Sequence, residues 1–110
     1  MWASLPAAER EKMDEAEVMC TEAAAQGHPQ AHCYLGTLLL KRGDIDGAEA
    51  AYRGAIAADP GFASTHFSLA ILLQYERKDF DGAEAAYRAA IAADPKCTDA
   101  HNNLNLLLKT

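Results

Sequence analysis

The chain writes one stretch twice. "DIDGAEAAYRGAIAADP" runs from Asp44 to Pro60, and thirty-five residues on "DFDGAEAAYRAAIAADP" runs from Asp79 to Pro95. Only Ile45/Phe80 and Gly54/Ala89 differ between them. The echo extends beyond these segments. Ala31-His32, Tyr34-Leu35 and Gly36 return as Thr65-His66, Ser68-Leu69 and Ala70, and again as Ala100-His101, Asn103-Leu104 and Asn105. His32 to His66 is 34 residues and His66 to His101 is 35, the extra residue falling in the turn "QYERKDF". A period of this length constrains the fold more than any other feature. Each copy is one supersecondary unit that buries its apolar face only by stacking on the next.

The units read as helices. Half of the 110 residues are hydrophobic, and many of those are alanine, the best helix former. Helical spacing of apolar residues predicts six helices. The first opens near Pro6 and stops at Gly27, and the second begins at Pro29 and ends at Gly43. The third begins at Asp46, with Glu49 at capping-box spacing, and ends near Asp59. The fourth opens at Pro60 and runs to about Arg77, and Asp81 with Glu84 starts the fifth. The sixth is "CTDAHNNLNLLLK". Connections of two to four residues make consecutive helices antiparallel hairpins.

Charge and composition exclude several functions. The net charge is −6. Glu9, Glu11, Asp14, Glu15, Glu17 and Glu22 crowd the first helix against Arg10 and Lys12. The pairs Lys41-Arg42 and Arg77-Lys78 are too small for a phosphate backbone and sit where cations offset a helix dipole, so no nucleic-acid partner is expected. No apolar run approaches the 18 or more residues of a membrane span, and no membrane partner is expected. "MWASLPAAEREK" has no secretory pattern. Cys20, Cys33 and Cys97 form no disulfide framework, which suits reduced thiols in a cytoplasmic, reducing compartment.

The spacing of the repeated residues resembles the tetratricopeptide repeat. That family's pattern is met by His32, Leu35, Gly36, Leu39, Ala48, Tyr52, Ala55 and Pro60, then by His66, Leu69, Ala70, Leu73, Ala83, Tyr87, Ala90 and Pro95. His101, Leu104 and Leu108 match a third first-helix, and Ala16, Cys20 and Ala23 match a preceding second-helix. Histidine replaces the usual bulky aromatic at all three places, and Asn105 stands where a small residue belongs. The resemblance implies an all-α, right-handed superhelical α-solenoid of antiparallel helix pairs with about six helices. It divides into an N-terminal capping helix (6–28), repeats at 29–62 and 63–97, and a C-terminal half repeat (98–110).

Residue sizes explain such stacking. Ala48 and Ala55 share a helix stripe with Tyr52 between them. Small residues there, and at Gly36 and Ala70 on the partner helices, let axes approach to roughly 8–10 Å. Tyr52 and its counterpart fill the gap, and Leu35, Leu39, Leu69 and Leu73 supply apolar area.

By the same resemblance the first helix of each pair lines a concave groove that binds extended peptides or partner helices. The stripe left free on the first inner helix is Gln30, Cys33, Tyr34, Thr37, Leu40 and Lys41. On the second it is Ser64, Phe67, Ser68, Ile71, Gln74 and Tyr75, and on the third Asp99, Asn102, Asn103, Leu106 and Lys109. Some family members clamp a terminal carboxylate there with Lys, Asn and Arg. The corresponding Cys33, Thr37, Ser68, Asp99 and Asn103 include no cation, which argues against that ligand. Leu40, Phe67, Ile71, Tyr75 and Leu106 instead form an apolar and aromatic strip, the composition of interface centres. The alternative is that Phe67 and Ile71 pack against neighbouring inner helices.

Three readings compete. His32, His66 and His101 recur in register, but helices roughly 10 Å apart separate them too far for compact zinc ligation. The expected role is three half-buried substitutes for an aromatic. No nucleophile–base pair or phosphate loop exists, so no enzyme and no cofactor are expected. The third is a structural spacer or a fragment of a longer array: Leu108 would face an absent partner helix and favours end-to-end self-association, whereas Asn105 favours a polar cap.

Overall fold

The computed structural model describes residues 4–109, and its regular elements are six α-helices: α1 (Ala7–Ala25), α2 (Pro29–Lys41), α3 (Ile45–Ala58), α4 (Ala63–Tyr75), α5 (Phe80–Ala93) and α6 (Thr98–Leu108). They fall into two compact units divided between Ala58 and Asp59. In the first, α2 packs on both α1 and α3, and in the second, α5 packs on both α4 and α6.

The duplicated stretch opens with a cap, but not at the expected aspartate. Asp44 Oδ1 accepts the Gly47 amide at 2.9 Å, and Asp79 Oδ1 accepts that of Gly82 at 3.0 Å. Asp46 and Asp81 lie inside the first turn, where their charge opposes the helix dipole. Glycine decides between the two aspartates. A Cβ on Gly47 or Gly82 would collide with the capping carboxylate, so the D-x-D-G pattern belongs to the earlier aspartate.

The stretch closes with a turn. Asp59 Oδ1 accepts from the Gly61 amide at 3.1 Å and the Asp59 carbonyl from Phe62 at 3.2 Å. Pro60 therefore sits inside a turn whose geometry suits its fixed φ, and α4 starts at Ala63 rather than at Pro60. Asp94 repeats both bonds, to Lys96 at 3.1 Å and Cys97 at 3.0 Å.

The extra residue of the second period lies where the spacing put it. Arg42 and Gly43 separate α2 from Asp44, whereas Glu76, Arg77 and Lys78 separate α4 from Asp79. Gly43 takes φ +86° and Lys78 takes φ +56°, so a lysine bears the left-handed geometry that glycine adopts freely. The chain then returns through Asp44 N to Leu39 O (2.9 Å) and Asp79 N to Leu73 O (2.8 Å).

The core follows the alanine–tyrosine stripe. Ala48, Tyr52 and Ala55 are buried in the first unit, as are Leu69, Ala70, Leu73, Ala83, Tyr87 and Ala90 in the second. Leu35 and Leu39 are only half-buried, while Leu38 and Leu72, absent from the expected core, are buried. The inner helix has a wider apolar face than one stripe. Leu38 shares an i, i+4 row with Arg42, whose guanidinium reaches α1. There it ion-pairs with Asp14 and, at 2.6 Å, with Glu17. Arg42 thus ties the acidic helix to α2, a role beyond the dipole compensation its position suggested.

Candidate functional site: the exposed stripes of the inner helices

The tyrosine of each outer helix reaches through its pair to the expected binding surface. In the first unit Tyr52 lies over Gly36, and a Cβ at position 36 would stand 2.7 Å from Tyr52 Cε1. The hydroxyl emerges beyond the glycine, 3.0 Å from Thr37 Oγ1. Thr37 donates to the Cys33 carbonyl at 3.2 Å, which leaves its oxygen to accept from Tyr52. In the second unit position 36 is matched by Ala70. Tyr87 instead donates to Gln74 Oε1 at 2.7 Å, and its ring meets Phe67 at 6.0 Å and 56°. Burial, and then the charge of nearby Tyr75, pushes the Tyr87 hydroxyl up to about 12.

These contacts sort the expected site residues. Thr37, Phe67 and Gln74 are engaged with the outer-helix tyrosines and hold the helix pairs together. Cys33, Leu40, Ser68, Ile71 and Asn103 are half-buried. Gln30, Tyr34 and Lys41 on α2, Ser64 and Tyr75 on α4, and Asp99, Asn102, Leu106 and Lys109 on α6 are exposed. Tyr34 is 68% exposed, Tyr75 56% and Leu106 61%, so each inner helix presents a large side chain of these stripes to solvent. Of the aromatic residues on these stripes, Tyr34 and Tyr75 are exposed and Phe67 is half-buried.

The histidines do not act alike. His66 Nε2 donates to the Pro60 carbonyl at 2.7 Å and His101 Nε2 to the Pro95 carbonyl at 3.0 Å, so each ring fastens its helix to the preceding turn. His32 has no such turn before it and lies against Gly54, where a Cβ would stand 3.0 Å from Nδ1. Of the two places where the duplicated stretches differ, Gly54/Ala89 is the one whose glycine lies against the His32 ring. Among the described residues no group of three or more His, Cys, Asp or Glu is placed to hold a metal ion, and no helix is long and apolar enough to cross a membrane.

The tetratricopeptide repeat family model matches residues 6–63 and 67–106. The chain belongs to the tetratricopeptide repeat family. Three solved structures of similar fold give the context. A MamA crystal structure has a TM-score of 0.71 and 22% identity, covering 74% of this chain and 47% of that one. The first repeat domain of Spaghetti (RPAP3), bound to the HSP90 peptide SRMEEVD, has a TM-score of 0.78 and 16% identity, covering 92% and 81%. An O-GlcNAc transferase mutant from Thermobaculum terrenum has a TM-score of 0.73 and 26% identity, covering 91% and 20%. The chain thus spans about half the length of the MamA chain, at 47%, and a fifth of the transferase, at 20%. No curated protein matches it. The all-α fold expected from the repeat is the one these structures share.

Proposed function

We propose that this chain is a non-catalytic adaptor that binds a peptide or helix of a protein partner on the exposed stripes of α2, α4 and α6, in a reducing compartment. The observation that carries this reading is the exposure of Tyr34, Tyr75 and Leu106 on the inner helices. Exposed aromatic and apolar anchors among amides and hydroxyls are the chemistry of interface centres. The Spaghetti (RPAP3) domain, of the same fold, holds an acidic peptide. At the places where family members clamp such a carboxylate, Cys33, Thr37, Ser68, Asp99 and Asn103 offer no cation. The ligand proposed for this chain is accordingly an apolar or aromatic segment with hydrogen-bonding flanks, read in its interior and not at its C-terminus.

Selection from a displayed library of linear peptides tests the reading. Enriched peptides should carry apolar or aromatic residues, and Tyr34→Ala, Tyr75→Ala and Leu106→Asp should each weaken them without changing the helical circular dichroism. Binding that survives all three substitutions together would refute the site. Phe67 is unsuitable for this test, because its ring supports Tyr87.

A further inference from the structure

Two helices of this chain expose a face that is covered on their counterparts. The first is α6. It is a first helix by register, since Ala100, His101 and Leu104 repeat Thr65, His66 and Leu69. Leu108 repeats Leu73, yet Leu108 is 54% exposed where Leu73 is 5% exposed. Asn105 repeats Gly36 and Ala70; it is exposed, whereas those two are buried. Phe80 is likewise exposed where its counterpart Ile45 is half-buried. Phe80, Asp81, Glu84, Leu107 and Leu108 together line an open cleft of about 440 Å³ between α5 and α6.

The second is α1, a second helix by the register of Ala16, Cys20 and Ala23 on Ala48, Tyr52 and Ala55. Which of its faces is vacant follows from α3. Gly54 touches the His32 ring of α2, so the stripe Gly47, Ala51 and Gly54 is the face turned to the first helix of the pair. The same stripe on α1 is Glu15, Met19 and Glu22. Ala51 and Ala86 are buried at this place, whereas Met19 is 70% exposed.

We propose that α1 of a second copy seats on α6, completing a third helix pair between two chains on the template of α2 with α3 and α4 with α5. The residues that break the pattern fit one another. Tyr52 plugs the space above Gly36, and across the proposed contact the sizes are exchanged, with Asn105 facing the smaller Cys20. Met19 would meet Leu108 and Phe80 in the cleft they share with Asp81 and Glu84. The contact joins two different surfaces, so copies add head to tail. It uses neither Tyr34 nor Tyr75, and it stands or falls separately from the peptide-binding reading.

Sedimentation equilibrium on the 110-residue chain and two variants decides it. The average mass of the wild type should rise with concentration. Met19→Asp alone and Leu108→Asp alone should each be monomeric, with unchanged helical circular dichroism. Mixed in equal amounts they should form a dimer and nothing larger, because only one competent α6 and one competent α1 remain. A wild type that stays monomeric up to ~1 mM, the weak limit of useful association, overturns the proposal. So does a Met19→Asp variant that still self-associates, since a two-fold contact of α6 with α6 would survive that change. Peptides selected for the inner-helix stripes should bind both variants as they bind the wild type.

Discussion

Gly36 is the socket of Tyr52: the tyrosine ring occupies the place where any Cβ at position 36 would go, 2.7 Å from Cε1. In the second unit the same place holds Ala70, and Tyr87 sends its hydroxyl to Gln74. Alanine at a helix interior is worth roughly 1 kcal/mol over glycine. Overpacking a core costs about 1–3 kcal/mol. Gly36→Ala should therefore lose stability on balance, by about 1 kcal/mol in a urea titration. Leu40 stands where Gln74 stands in the second unit, so Gly36→Ala with Leu40→Gln should recover part of the loss by giving the displaced hydroxyl an acceptor. A double variant no more stable than Gly36→Ala would show that the two tyrosines are not interchangeable.

Removal of the plug should cost more than crowding of the socket. Tyr52 is fully buried and makes the Thr37 bond. Tyr52→Ala should cost roughly 3–5 kcal/mol, as truncation of large core aromatics does. A urea titration that finds less than about 1 kcal/mol would remove Tyr52 from the core.

Arg42 gives α1 its attachment. Its side chain is mostly covered and spans the carboxylates of Asp14 and Glu17. Exposed single pairs contribute about 0–1 kcal/mol, and a partly buried cation with two partners contributes more. Arg42→Ala should destabilise by about 1–2 kcal/mol. The loss should be local, with amides of α1 exchanging faster than those of α3. Equal acceleration in both helices would mean that Arg42 supports the whole unit instead.

Alkaline pH should act through Tyr87. Its folded pKa of about 12 lies above the ordinary 10.0, chiefly because burial disfavours the phenolate. Below pH 10 both folded and unfolded chains keep the proton, and the group leaves stability unchanged there. Between 10 and about 12 the unfolded chain loses the proton first, so stability falls as pH rises, by up to about 2–3 kcal/mol. Tyr87→Phe should flatten that part of the pH profile while costing about 1 kcal/mol at neutral pH for the lost Gln74 bond. Parallel profiles for the two proteins above pH 10 would assign the alkaline loss to other groups.

The parts of this fold legible in the chain are those set by spacing alone. The 34- and 35-residue intervals, the added residue before Asp79 and the Ala48–Tyr52–Ala55 stripe are periodic facts, and the helix pairs obey them. Details that depend on where a side chain points were not legible. Asp46 with Glu49 satisfies a capping pattern as well as Asp44 with Gly47 does, and only the absent Cβ of glycine tells them apart. Pro60 can open a helix or occupy a turn, and the Asp59 carboxylate selects the turn. Thr37, Phe67 and Gln74 lie on the face expected to be free. They are drawn into contacts because a tyrosine is long enough to pass Gly36 or Ala70 and reach the far side.

Thr65 stands out among the buried side chains. It is fully buried, and its hydroxyl has no hydrogen-bond partner. The corresponding positions in the other two copies are Ala31 and Ala100, so the fold has no need of an oxygen there. A buried hydroxyl without a partner costs about 1–3 kcal/mol of desolvation. Valine keeps the shape and differs little from threonine in helix propensity. Thr65→Val should therefore raise stability by about 1 kcal/mol, with a higher urea midpoint at unchanged slope. Thr65→Ala removes the same oxygen but also a buried methyl group, worth about 0.8 kcal/mol, and should come out near neutral. A Thr65→Val protein less stable than the wild type would mean that the hydroxyl is satisfied in solution, and water at that site would then be the partner to seek.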